Sequence, residues 1–84
     1  MDTLHIIREP DEKTVLEIIE GEARNKKISI LLVQDGVFAD LDIPVNIYVN
    51  SEDIEARGID TGYKEVDYEG IRKLIINHKR VIVW

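Results

Sequence analysis

The most apolar run of the chain is Ile28–Val33, and it ends at Gln34-Asp35-Gly36. The run is too short for an ordinary helix, it has a β-branched residue at each end, and it stops at a turn signal. It therefore predicts a strand that is buried on both faces. Such strands are typical of parallel sheets flanked by helices, whose functional loops follow the carboxyl ends of the strands. The Gln34-Asp35-Gly36 loop is thus the first candidate site.

Shorter apolar segments predict the other strands of this sheet. We expect strands at Leu4–Ile7, Val45–Val49 and Val81–Trp84, and either a brief strand or an extended link at Glu65–Asp67. In Val45–Val49 the polar residues alternate with the apolar ones, so one face of that strand should be less buried.

Two stretches have apolar residues at helical spacing and predict amphipathic helices. The first should begin after Asp11, the better capping residue there, and close at Asn25. Its expected apolar face is Val15, Leu16, Ile18, Ile19 and Ala23. The second should be capped by Asp67, and its expected inner face is Tyr68, Ile71, Leu74 and Ile75, with His78 at its end.

A shorter helix is predicted between these two, over Glu52–Arg57. Asn50-Ser51 offers caps for its start, and Gly58 closes it. Asp53 and Arg57 stand at i and i+4, an ordinary spacing for a salt bridge within a helix.

The alternation of strands and helices predicts an α/β fold. We expect one domain over residues 1–84, a small three-layer α/β/α sandwich with a mostly parallel four- to five-stranded sheet. The link between Ile28–Val33 and Val45–Val49 is short for a crossover. Either a helical turn at Val37–Leu41 provides that crossover, or the two strands pair as a hairpin.

Composition narrows the function. The net charge of −6 argues against direct binding of nucleic acid, and the chain contains no cysteine that could serve as a nucleophile or thiolate ligand. No apolar run is long enough for a membrane span, and nothing resembles a signal peptide, so a cytoplasmic location is expected. A core this small also favours association with a partner or with further copies.

Few residues suggest chemistry of their own. Ser29 and Ser51 fit structural roles, His5 and His78 lack the spacing of a metal site, and Asp35-Gly36 fits a tight turn better than a ligand contact. We therefore predict no catalytic residue, metal or cofactor. The residues that remain as loop or interface candidates are Gln34, Asp35, Gly36, Asp53, Arg57 and Gly58.

Three stretches together resemble one known family. They are Leu31–Val37 with its Gln-Asp-Gly, Ile47–Gly58 with its Ala-Arg-Gly, and Val66-Asp67-Tyr68 followed by a helix, His78 and Trp84. In this order and spacing the chain is similar to the TusB/DsrH sulfur-relay family, within the wider DsrE/DsrF/DsrH group. The opening Thr3-Leu4-His5 is similar as well.

The resemblance implies a DsrE-like fold and a heterohexamer with TusC/DsrF-like and TusD/DsrE-like subunits. Such complexes pass persulfide sulfur between carriers, for 2-thiolation of the tRNA wobble uridine or for sulfur oxidation. Because this chain has no cysteine, a partner would have to supply the thiolate. The chain would then be a non-catalytic subunit, with Asp35, Asp53 and Arg57 near the rim of the shared site.

Two other hypotheses for the function remain open. The chain could be a stand-alone homo-oligomeric module that holds a small anionic or polar ligand at the Gln34–Val37 loop, since fold does not fix function. The third hypothesis, after the relay subunit and the binding module, is an enzyme that acts alone. It would require an activity that depends on Asp35 or Arg57.

Overall fold

The computed structural model describes residues 2–24 and 27–84 of the chain. Within these residues it contains five strands, three α-helices and one short 3-10 helix. In chain order they are β1 (Thr3–Ile7), α1 (Lys13–Ala23), β2 (Ile28–Leu32), the 3-10 helix Gln34–Phe38 (the 34–38 turn), β3 (Asn46–Asn50), α2 (Ser51–Arg57), β4 (Lys64–Val66), α3 (Tyr68–Asn77) and β5 (Arg80–Val83).

The strands form a single sheet in the order β4-β3-β2-β1-β5, and every neighbouring pair is parallel. This confirms the predicted α/β sandwich with its parallel sheet. The hairpin alternative is wrong, because β2 and β3 run parallel and the 34–38 turn lies in the crossover between them. The chain then returns through α3 from the β4 edge to the β5 edge.

The strand at the centre has the burial that its sequence predicted. All five residues of β2 are buried, and Ile30, Leu31 and Leu32 have no exposed surface. Because side chains alternate along a strand, the registered strands present two sets of residues to opposite faces of the sheet. We name these faces after the helix that covers each of them.

The α1 face carries the main core. His5, Ile7, Ile30, Leu32 and Val49 point to this side of the sheet. The side chains that close over it come from α1, the crossover and α2, namely Val15, Ile19, Val37, Ala39, Ile43 and Ile54, all of them buried. Burial of a large aliphatic side chain stabilises a fold by roughly 1.5–3 kcal/mol, so this layer supplies most of the hydrophobic stabilisation.

The α3 face is less completely covered. Leu4 and Leu31 are fully buried there, yet none of the residues of α3 is buried. The predicted inner face of this helix was partly wrong, since Tyr68 is 75% exposed and Ile75 is 43% exposed. The helix packs through its other side, on which Leu74 and His78 lie beside Ser29.

The start of α1 also differs from its prediction. The residue that precedes the helix is Glu12 rather than Asp11, and no side chain caps the first turn. Ile18, expected on the apolar face, is 44% exposed because Val15 and Ile19 define the buried direction. The predicted closing residue Asn25 lies outside the described residues.

Candidate functional site

The 34–38 turn follows the carboxyl end of the central strand, as expected, and its backbone is unusual at the first residue. Gln34 has a φ of 52°, the left-handed region, which is uncommon for a residue other than glycine. Such a conformation costs about 1–2 kcal/mol unless neighbouring contacts hold it in place. The turn must therefore be fixed by the groups around it.

Gly36 fixes the turn against the end of β1. Its N–H lies 2.9 Å from the carbonyl oxygen of Arg8, and Val33 donates to Ile7 at 3.0 Å. A Cβ at position 36 would collide with the Ile7 carbonyl group. Only glycine allows the turn to approach the neighbouring strand this closely.

Asp53, on α2, holds Gln34 in its left-handed conformation. One oxygen of its carboxylate, Oδ2, accepts the Gln34 N–H at 2.7 Å and the Asn50 side-chain amide at 2.9 Å. Asn50 also caps α2, because its Oδ1 accepts the Glu52 N–H at 3.2 Å. The carboxylate thus joins the end of β2 to the start of α2.

Arg57 completes this network. Its guanidinium group lies 3.0 Å from Asp53 Oδ1 and 3.1 Å from Asp35 Oδ1, so it bridges the helix and the turn. The predicted i, i+4 salt bridge is present. Gly58 ends α2 with a φ of 60°, the left-handed conformation that suits glycine at that position.

The structure therefore brings Gln34, Asp35, Asp53 and Arg57 into one polar cluster, the turn cluster. Gly36 and Gly58 support it through the backbone. Two carboxylates stand against one guanidinium group, and the arginine is already bound by both of them. The arrangement suits a rigid, slightly acidic surface better than a pocket for an anion.

A second polar region lies at the opposite, amino-terminal edge of the sheet. Here His78 Nε2 is 3.1 Å from Ser29 Oγ, and His78 Nδ1 is 2.6 Å from the Leu74 carbonyl oxygen. The carbonyl can only accept, so Nδ1 carries a proton in this contact. Both residues line an open cleft of about 350 Å³ that also includes Asn46 and Tyr48.

Sequence reasoning missed a buried cluster around His5. This side chain has no exposed surface, its Nδ1 accepts from the Trp84 indole at 3.0 Å, and the two rings stack. Its Nε2 faces Glu22 Oε2 at 3.5 Å, too far for a hydrogen bond. Burial lowers the pKa of His5 against the opposing effect of Glu22, while Arg80 lowers it further. No signal in the sequence joins residues so far apart.

The part of the chain that the structure describes contains neither a cluster of metal ligands nor a helix that could span a membrane. Over residues 2–24 and 27–84, no group of three or more metal-ligating side chains comes together. In the same part of the chain, each helix is too short or too polar to cross a bilayer.

Comparison with known proteins places the chain in a family. The search of curated proteins finds no significant match. The family model described as "DsrH like protein" matches residues 9–81, which include the turn cluster and all three helices. With nearly the whole sequence matched and the expected parallel sheet present, the chain belongs to the DsrH-like family.

Proposed function

We propose that this chain is a non-catalytic subunit of a cytoplasmic persulfide-transfer complex. Membership of the DsrH-like family supports a role in sulfur relay. Within sulfur relay, the proposed pathway of the complex is either 2-thiolation of the tRNA wobble uridine or sulfur oxidation. Its partners in the proposal are the TusC/DsrF-like and TusD/DsrE-like subunits of a heterohexamer.

The observation that carries the non-catalytic role is the absence of cysteine from the sequence. A persulfide is carried on a cysteine sulfur, and its transfer requires attack by a thiolate. No residue of this chain can form either species. The chain acts by assembly, and the sulfur passes between cysteines of its partners.

The turn cluster gives this role a physical basis. Its members sit at the carboxyl edge of the parallel sheet, the edge where functional loops of such folds lie. Asp35 is the outermost charged group, with a side chain that is 67% exposed, whereas the Asp53 carboxylate is occupied within the chain. We assign Asp35 to contact with a partner and Asp53 to holding the turn in shape.

The alternative is a homo-oligomeric module that binds a small ligand at the Gln34–Val37 loop. Arg57, the cation of the turn cluster, is held by Asp35 and Asp53, which weakens the case for an anion there. A thermal-shift screen against nucleotides and sulfur anions addresses it. Stabilisation by one of these ligands that disappears in Arg57→Ala would favour the alternative.

The experiment that tests the proposal is co-expression with DsrE-like and DsrF-like subunits from the same genome. We expect one complex by native mass spectrometry and faster persulfide transfer between partner cysteines when this chain is present. A chain that remains apart from both subunits, at every ratio tested, contradicts the proposal.

Two variants separate the two parts of the turn cluster. Asp35→Ala should weaken assembly while it leaves the melting temperature unchanged, because its side chain is largely exposed. Glu52→Ala removes another exposed acid near the same edge and serves as the matched control. Equal loss of assembly in both variants would point to net charge rather than to Asp35.

A further inference from the structure

A buried row of polar contacts joins α1 to Trp84 through His5. The indole of Trp84 can only donate, so the Nδ1 atom of His5 that it contacts at 3.0 Å carries no proton. The neutral imidazole therefore has its proton on Nε2, the atom that faces Glu22 Oε2 at 3.5 Å. The contact with Trp84 thus selects both the charge and the tautomer of His5.

A second proton on His5 is incompatible with this contact. An imidazolium carries an N–H on both nitrogens, so Nδ1 would then present a donor to the indole donor. Among the residues that the structure describes, neither His5 Nε2 nor Glu22 Oε2 has a hydrogen-bond partner, although both atoms are buried. A charged imidazole is attracted to the carboxylate and can close the gap between these two atoms by a shift of its ring.

We infer that the contact between Trp84 and His5 is a proton-sensitive latch, which opens when His5 takes up a proton and turns to Glu22. In the closed state the two rings stack with their centroids 6.0 Å apart, and Trp84 packs against the main core. In the open state His5 and Glu22 form an ion pair, and the indole is released to water at the β5 edge of the sheet.

The backbone of Trp84 is held independently of its indole. Its N–H donates to the Ile6 carbonyl oxygen at 3.0 Å, and its own backbone oxygen accepts from Arg8 Nε at 2.7 Å. Neither contact involves a group that loses or gains a proton when His5 does. The latch therefore opens by movement of one side chain, while β5 keeps its place beside β1.

The charges around His5 set the pH at which the latch opens. Burial lowers the pKa of His5, Glu22 on α1 opposes that effect, and Arg80 on β5 lowers the pKa further. The residue beside His5 on β2 is Ile30, which carries no charge. The hydrogen bond from Trp84 also favours the neutral form. The latch is thus closed at neutral pH and opens below about 6.5, the ordinary pKa of histidine.

The inference does not depend on the proposed function. The latch involves β1, α1 and the residue after β5, whereas the proposed partner contact lies in the turn cluster. A chain that binds no DsrE-like or DsrF-like subunit would leave the latch untouched, and a latch that fails to open would leave the proposed assembly untouched.

The first test uses the fact that Trp84 is the only tryptophan of the chain. Its indole N–H gives a single signal in a nitrogen–proton NMR spectrum, which can be followed as the pH is lowered. We expect this signal to shift to the position of an indole in water, with a midpoint below about pH 6.5. Tryptophan emission should move to longer wavelength in the same pH range, while far-ultraviolet circular dichroism stays constant.

The second test separates the two histidines of the chain. His5→Asn offers an amide oxygen near the position of Nδ1 but cannot take up a proton, so the pH-dependent shift of the indole signal should be lost. His78→Asn is the matched control, because His78 contacts Leu74 and Ser29 instead, and the shift should persist in this variant.

A third variant keeps the latch testable even if His5→Asn fails to fold. Glu22→Gln removes the charge that stabilises protonated His5 and alters a side chain that is 20% exposed. The midpoint of the indole shift should therefore fall by about one pH unit. Glu17→Gln, on the same helix, changes the net charge equally and should leave the midpoint in place.

Three results would overturn the inference. One is an indole signal that changes only when circular dichroism shows the whole chain unfolding. The second is a shift that persists in His5→Asn or disappears in a folded His78→Asn. The third is a midpoint that Glu22→Gln leaves unchanged or raises.

Discussion

The two faces of the sheet differ in how completely they are covered. On the α1 face, side chains from α1, the crossover and α2 close over the strands, and Ile19 and Ile30 lose all contact with solvent. On the α3 face, one helix lies over the sheet and buries none of its own residues completely. The α1 layer is complete within one chain, whereas the α3 layer leaves apolar side chains such as Ile76 exposed.

The largest loss of stability should come from a cavity on the α1 face of the sheet. Ile19 has no exposed surface, so Ile19→Ala should lower the free energy of unfolding by about 2–5 kcal/mol. Ile76→Ala, at a position that is 66% exposed, should change it by less than about 0.5 kcal/mol when measured on the monomer. Urea titrations of both variants measure the free energies of unfolding. Equal decreases would mean that the α1 and α3 faces are equally well covered.

The turn cluster can be tested through its glycine. Gly36→Ala places a methyl group against the Ile7 carbonyl group, which should cost about 1–3 kcal/mol or more. Gly62→Ala is the matched control, because nothing lies within 4 Å of the added Cβ there. A Gly36→Ala variant as stable as Gly62→Ala would show that the turn is free to move away from β1.

Removal of the Asp53 charge should have an intermediate effect. Asp53→Asn weakens the contacts to Gln34 and Arg57 and should lower the free energy of unfolding by about 1–2 kcal/mol. Asp35→Asn should cost less than about 0.5 kcal/mol, since its side chain is 67% exposed. If Asp35→Asn proved the more damaging, the ion pair of Asp35 with Arg57 rather than the hydrogen bond from Gln34 to Asp53 would hold the turn.

The smallest effect concerns pH. Because the pKa of His5 is lowered in the folded state, the unfolded chain takes up a proton first as the pH falls below about 6.5. Stability attributable to His5 is therefore present above that pH and decreases below it, by less than about 1.4 kcal/mol per pH unit, until the folded pKa is reached. His5→Asn should lack this part of the slope, and an unchanged slope would assign it to other groups.

Local patterns predicted much of this fold, for physical reasons that can be traced to particular residues. Ile28–Val33 reads as a buried strand because nearly every residue in it is apolar, and β2 is buried throughout. Asp53 and Arg57 pair because their spacing places them on one side of a helix. The sequence did not predict the hydrogen bond from the Gln34 N–H to the Asp53 carboxylate, although both residues were expected at the same edge of the sheet.

The errors lie where tertiary packing decides the outcome. Periodicity shows that α3 has apolar residues on adjacent sides, but only the sheet determines which side turns inward, and Tyr68 and Ile75 were assigned to the wrong one. The contacts of Trp84 with His5 and Arg8 join the two ends of the sequence, so no local pattern could reveal them.

Amide hydrogen exchange of the isolated chain tests the difference between the two layers most directly. Exchange should be faster in Tyr68–Asn77 than in Lys13–Ala23, because α3 has no buried residue of its own whereas α1 packs Val15 and Ile19 into the core. Equal exchange rates in the two helices, or slower exchange in α3, would contradict the conclusion that the α1 face is the more completely covered one.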